Sequence, residues 1–252
     1  MNIRIGIVTP AYKRYSLLEK YCIYINKLNI FCKQNSIELI PVLVSDDNKI
    51  KKIAIKNKIK FLQYKNSPLS KKWNYGVSYF KDKEIDAVII LGSDNFISYK
   101  IIEVYKNIIL DKNIDIFGFT DIYYWDSIRK KPYYFPGYKD LRRYGEPIGA
   151  GRLLKRSALE KMNWKVWTLD KDSGLDRHLY ERINKLKLRQ SVKSLFEINQ
   201  AKEGSGWIID VKGCGESITE FGALKHSLIP VKNDEKLISW TKVLFGRRNT
   251  KN

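Results

Sequence analysis

The chain has 252 residues and a formal net charge of +20, with 44% hydrophobic and 13% aromatic residues. Such a chain folds around a core, which excludes global disorder, and no apolar run reaches the roughly 20 residues that cross a bilayer. Two histidines and three cysteines (Cys22, Cys32 and Cys214) exclude a multi-histidine metal centre and a disulfide framework.

Ile3, Ile5 and Ile7 alternate and stop at Thr9-Pro10, the pattern of a short strand. The opening MNIRIGIVTP lacks the order of a signal peptide, so a cytoplasmic protein is expected. Leu17, Leu18, Tyr21, Ile25 and Leu28 then recur at helical spacing. IELIPVLV, residues 37–44, reads as the second strand, although Pro41 is awkward for a central position. It ends at Ser45-Asp46-Asp47-Asn48. IKFLQY, 59–64, is the third strand, and Pro68 is placed to open a helix after it. AVIIL, 87–91, is the fourth and runs into Gly92-Ser93-Asp94-Asn95. Ile101, Ile102, Tyr105, Ile108 and Ile109 form another helical stripe, and IDIFGF, 114–119, is a fifth strand.

This alternation predicts an α/β fold: an open, largely parallel sheet with helices on both faces. Such sheets bind ligands beyond the carboxyl ends of their strands. Three polar clusters fall there: residues 9–12, 45–48 and 93–95. Further on, residues 121–140 are aromatic and basic and read as a long loop or hairpin. Their Tyr and Trp side chains suit stacking on sugar rings or bases, or a lid over the core. IGAGRLLKR is a strand returning to the sheet. Residues 174–186 and Asp234 to Phe245 are helix candidates. The charge field attracts polyanions: nucleic acid, an anionic membrane face or an anionic glycan.

VTPAYKR, SDDN, NSPLSKKWNYGV and GSDN occur in the order found in GT-A fold glycosyltransferases, and the chain resembles the family 2-like members most. A later Gly174-Leu175-Asp176 resembles their acidic acceptor-site motif. The resemblance covers roughly residues 3–180. It implies one GT-A domain over 1–252, with 1–119 as the nucleotide-sugar-binding half and 120–252 as the acceptor-side half.

The resemblance also implies roles. Thr9, Tyr12 and Arg14 would line the nucleotide pocket. Asp46 or Asp47 would accept hydrogen bonds from uracil or ribose, their alternative being an Asx-type turn. Lys71 or Lys72 would reach phosphate and Asn74 the base or ribose, unless they form a solvated helix face. The family carries Asp-x-Asp after its fourth strand, but here Gly92 stands at the first acid. Asp94 would then be the protein carboxylate on a Mn²⁺ or Mg²⁺ ion, or else a helix cap. Ser93 and Asn95 would hold the donor, and His226 would be a late metal ligand. Asp176 matches the catalytic base that activates an acceptor hydroxyl for direct, inverting attack, with Asp170 and Asp172 as neighbouring rivals. Arg152 would grip phosphate or sugar, or pair with Glu146.

The expected reaction is sugar transfer from a nucleotide sugar, UDP-linked by preference, to a hydroxyl. The compact, basic sequence is similar in style to virus-encoded glycosyltransferases, some of which decorate hydroxymethylated bases of DNA. The cytoplasm would then be the host's. Modified DNA is therefore the first expectation for the acceptor, ahead of a cell-surface or anionic glycan. Two other classes compete. A nucleotidyltransferase needs a glycine-rich loop that VTPAYKR lacks, and an inactive nucleic-acid-binding protein would explain Gly92 but not the retained acids.

Overall fold

The computed structural model describes residues 2–200, 206–213, 227–231 and Leu237. Cys214, His226 and the tail expected as a helix lie outside the described residues, apart from Leu237.

β1 (Ile3–Pro10), β2 (Ile37–Ser45), β3 (Lys60–Gln63) and β4 (Ala87–Ile90) pair in parallel in the order β4–β1–β2–β3. The odd isoleucines of β1 are buried, as their alternation requires. Pro41 does sit inside β2. β3 pairs with β2 only from Val42 onward, so at Pro41 the strand has a sheet neighbour on one side alone.

α1 (Tyr15–Lys33) and α2 (Asn48–Lys56) cover one face of this sheet, joined by α4 (Tyr99–Leu110). α3 (Leu69–Ser78), α5 (Arg156–Lys161) and α6 (Leu175–Lys185) lie on the other. Two apolar layers result, one on Ile5 and Ile7, the other on Val8 and Val44. The fifth strand, β6, begins at Ile116 and ends at Phe119. β9 (Arg152–Lys155) returns as expected and slots antiparallel between β4 and β6. β10 (Gln190–Lys193) completes a seven-stranded sheet beside β6.

A second sheet has no counterpart in the sequence reading. β7 (Ile122–Asp126) and β8 (Lys131–Phe135) form the aromatic hairpin. β11 (Ile208–Lys212) runs beside β7, and β5 (Asn95–Ile97) pairs antiparallel with β11. With β12 (Ile229–Pro230) on β8, the order is β12–β8–β7–β11–β5. α7 (Leu195–Gln200) links the two sheets in sequence. Because β5 starts at Asn95, the second sheet grows directly out of the polar turn after β4.

Candidate functional site

β4 leaves the core at Leu91 and turns sharply. The Gly92 N–H donates to Asn95 Oδ1 at 2.9 Å, and the Asn95 N–H donates back to the Gly92 carbonyl at 3.0 Å. A Cβ at position 92 would lie 2.7 Å from Asn95 Oδ1 and 2.8 Å from Asp94 Oδ1. Two side-chain oxygens thus occupy the space that an acid at 92 would need. Asp94 does not cap the next helix, because Ser98 stands at the N-cap of α4.

Arg14 meets Asp94 from the loop that follows the neighbouring strand β1. Lys13 and Arg14 both adopt left-handed backbone angles, with φ of 49° and 48°. Two such residues in succession are strained, and strain of this kind gathers at functional sites. Arg14 Nη1 donates to Asp94 Oδ2 at 2.6 Å and Nη2 donates to Ser93 Oγ at 3.2 Å. Lys212 Nζ lies 3.8 Å from the same Asp94 oxygen and 3.0 Å from Asp210 Oδ2. Asp210 faces Asn95 across the β5–β11 ladder.

Burial alone would raise the Asp94 pKa, but Arg14 and Lys212 outweigh it and hold the carboxyl below the usual range. Asp210 goes the other way. Burial pushes it up to about 7, Lys212 offsets part of that, and the nearby Asp94 charge adds to it. Burial also works against the Lys212 charge, yet Asp210 and Asp94 together raise its pKa.

A cavity of about 590 Å³ opens here, lined by Arg14, Asp94, Asn95, Lys212 and, from the other half of the chain, Asp176. Burial raises the Tyr124 hydroxyl well above its ordinary pKa, and Asp210, Asp94 and Asp176 all add to that shift. The three carboxylates therefore converge electrostatically. Asp176 sits in the first turn of α6, where the helix dipole favours a carboxylate, behind a left-handed Gly174 with φ of 68°. Its carboxylate lies over Gly149, where an added Cβ would stand 2.1 Å from Oδ1.

The two rival acids already have partners, although Asp172 also lines the cavity. Asp172 accepts from Ser67 Oγ at 2.9 Å and from the Leu69 N–H at 2.7 Å, and Asp170 pairs with Lys71 at 2.7 Å. Among the described residues no donor is bonded to the Asp176 carboxylate.

Several expected ligands stand away from the cavity wall. Thr9 is buried, its hydroxyl 2.6 Å from that of Tyr21, so it braces α1 rather than facing ligand. Asp47 caps α2 through the Lys49 N–H and accepts from Tyr15, which is the turn alternative. Asp46 is exposed and accepts from the Asn66 N–H at 3.2 Å. Lys71 points to the surface, held by Asp170. Lys72, expected on a solvated face if not at phosphate, is instead buried. It donates to the Ala11 carbonyl at 2.7 Å and Asn66 Oδ1 at 2.8 Å, and burial pushes its pKa down to about 8.

Asn74 clamps the Trp167 backbone at both its N–H and its carbonyl. Tyr12 is exposed beside Lys13. Arg152 is fully buried and donates to the Pro147 carbonyl at 2.6 Å, while its Nε and Nη1 have no hydrogen-bond partner. Glu146 is taken by Arg143 instead.

Asp210 and Lys212 escaped the sequence reading. Their signal was present in Ile208-Ile209-Asp210-Val211-Lys212, two charges spaced by two on a strand among apolar residues.

The groups around Asp94 also bear on a divalent ion. Mg²⁺ and Mn²⁺ take oxygen ligands, several of them anionic. Here the one carboxylate oxygen best placed to bind already faces an ammonium and a guanidinium. Among the described residues no group of three His, Cys, Asp or Glu side chains could hold a metal. The described residues therefore offer no three-ligand site for a divalent cation, and Asp94 Oδ2 is already matched by two cations.

No family model and no curated protein sequence matches the chain. Solved structures do. The S. aureus TarS 1–349 structure in complex with UDP-GlcNAc superimposes with a TM-score of 0.55 at 17% identity, over 85% of this chain and 60% of that one. TarS 1–349 on its own gives 0.53 at 16%, over 83% and 60%. A mycobacterial protein gives 0.51 at 12%, over 76% and 66%. The chain thus spans about three fifths of the length of the TarS chains it matches. At these identities the likeness speaks for the fold, and the fold of this chain is the GT-A glycosyltransferase fold.

Proposed function

We propose that this chain is an inverting, nucleotide-sugar-dependent glycosyltransferase. The observation that carries the reading is the convergence of Asp94, Asn95 and Asp176 on one cavity beyond the carboxyl ends of parallel strands, in a fold where ligands collect there. The TarS neighbour with UDP-GlcNAc supports a UDP-linked donor. Arg14, Ser93 and Asn95 line that cavity and would stand next to the diphosphate, while Asp46, Asn66 and the buried Lys72 brace one another outside it at the ends of β2 and β3.

In this reading Asp176 is the base. The acceptor hydroxyl loses its proton to the Asp176 carboxylate as its oxygen bonds to the anomeric carbon. The bond from that carbon to the diphosphate oxygen breaks on the opposite face, and the nucleoside diphosphate leaves with the electron pair. The acceptor is polyanionic, consistent with the net charge of +20, and hydroxymethylated DNA is our first choice. Free Cys22 and Cys32 suit a reducing compartment such as the cytoplasm.

The test is nucleoside diphosphate release from a mixed pool of nucleotide sugars, with Mn²⁺ present so that the outcome is independent of metal demand. Duplex DNA carrying 5-hydroxymethylated pyrimidines is added in one arm. Release stimulated by that DNA and not by plain DNA supports the full reading. Release that ignores DNA keeps the enzyme and moves the acceptor to a glycan. No release from any donor overturns it.

A further inference from the structure

We propose that Arg14 and Lys212 form a built-in cationic clamp for the donor diphosphate, doing the charge work of a divalent metal, so that this chain binds its donor without one. The inference rests on the nucleotide-sugar reading above and adds how the donor is held.

Geometry is the first support. Arg14 Nη1 and Lys212 Nζ approach one oxygen, Asp94 Oδ2, at 2.6 and 3.8 Å. A dication at that oxygen would have to displace the first cation and sit against the second. The charge tally is the second. Two monocations here stand beside two carboxylates, Asp94 and Asp210, and they match the single positive charge of a dication on one carboxylate when Asp210 is protonated, the form its burial favours. The third is unused donor capacity. Arg14 Nε is buried without a hydrogen-bond partner, and among the described residues the Lys212 ammonium, with three protons, has one hydrogen-bond acceptor, Asp210 at 3.0 Å. Buried donors of this kind are costly unless an acceptor arrives.

The surroundings favour the clamp over a metal. Gly92 removes the second acid, and Asn95 and Asp94 fill its place. The left-handed pair Lys13-Arg14 holds the guanidinium at its post. Lys212 is only 7% exposed and is fixed by Asp210 on its own strand, so its charge is held in place before donor binds. Asp210 is a positioning residue here.

The experiment is calorimetric titration of the full chain with UDP, GDP, CDP and ADP in turn, each beside its monophosphate, first in EDTA and then in Mn²⁺. The expected result is that one diphosphate binds in EDTA, within about twofold of its affinity in Mn²⁺, and more tightly than its monophosphate. Lys212→Gln should weaken that diphosphate about 10- to 100-fold, the scale of one charge-assisted hydrogen bond, and leave the monophosphate within about twofold. Lys212→Arg should recover most of the loss. Diphosphate binding that appears only with Mn²⁺ overturns the clamp and leaves the glycosyltransferase reading standing. No binding in either buffer overturns both. The wild-type comparison decides the matter even if Lys212→Gln does not fold.

Discussion

Gly149 gives the most direct test of Asp176. It is not among the left-handed glycines, so an alanine there meets no backbone objection. The added Cβ would stand 2.1 Å from Asp176 Oδ1, where real contacts begin near 3.0 Å. The carboxylate must therefore retreat by about 1 Å. A misplacement of that size costs roughly 100-fold in rate, or about 2.7 kcal/mol of barrier. Stability should barely change, because the atom struck is the end of a side chain bordering a cavity, and alanine stiffens the unfolded chain by about 0.4–1 kcal/mol. Nucleoside diphosphate release reads the rate and thermal melting reads the fold. Gly149→Ala should fall about 100-fold in kcat with a melting temperature unchanged or raised by up to about 4 °C. Asp176→Asn should fall roughly 100- to 10,000-fold, the range for losing a general base. The double variant should be no slower than Asp176→Asn, because both changes remove one interaction. A Gly149→Ala enzyme that turns over at the wild-type rate would refute the placement of the base.

Asp172→Asn discriminates between the neighbouring acids. It loosens the Ser67 and Leu69 contacts that hold α3, so stability should drop by about 1 kcal/mol while kcat stays within about tenfold. A loss matching that of Asp176→Asn would move the base to position 172. Gly76→Ala would put a Cβ 2.4 Å from Val8 Cγ1 and 2.8 Å from Val44 Cγ2. Overpacking of this kind costs about 1–3 kcal/mol, and an unchanged melting temperature would refute the contact. Asp115 ties β6 to the loop before β10. The Arg189 side chain, with its backbone N–H and Lys161, holds its carboxyl at about 2 against an ordinary 3.8. A depressed acid stabilises the fold above its unfolded pKa and loses that contribution as pH falls through the folded one. Solvent reaches Arg189, so the contribution is discounted to about 1–2 kcal/mol. Urea midpoints for Asp115→Asn should fall short of wild type at pH 7, and the gap should close on acidification towards pH 2. A gap independent of pH would refute the assignment.

The sheet was legible because its strands are short apolar runs that end in polar clusters. Each of β1 to β4 is found where alternation or continuous burial placed it, and β9 returns where Gly149-Ala150-Gly151 announced it. Pro41 argued against a central strand, and the rule behind that argument still holds locally. β3 joins β2 only from Val42 onward, so Pro41 meets no ladder on that side. The second sheet was not legible, because its pairing is non-local. β5 is three residues long, and its partner β11 lies more than a hundred residues further on. No local pattern announces such a contact.

The same distance hid half of the site. Motif order pointed to Asp94 and Asp176, both next to strand or helix ends, where a carboxylate has an obvious local use. Lys212 has no such marker. Its meaning comes from β11 lying beside β5, which brings Nζ to an oxygen 118 positions earlier in sequence. Within β11 the pattern Asp-Val-Lys did carry a weaker message: charges spaced by two on a buried strand share a face, and the charged groups must find partners there. Thr9 and Asp47 err in the opposite direction. Hydroxyl and carboxylate groups at a strand end suit a ligand, but they also suit the Tyr21 hydroxyl and the α2 N-terminus, which are nearer. The Tyr21 hydroxyl and the free N–H groups of α2 need partners whether or not a donor is present, so these local partners claim the polar groups first. Asp176 escapes that competition, since no donor among the described residues is bonded to it. A carboxylate left unbonded beside a cavity, with glycine beneath it, is the arrangement that a base awaiting a substrate proton requires.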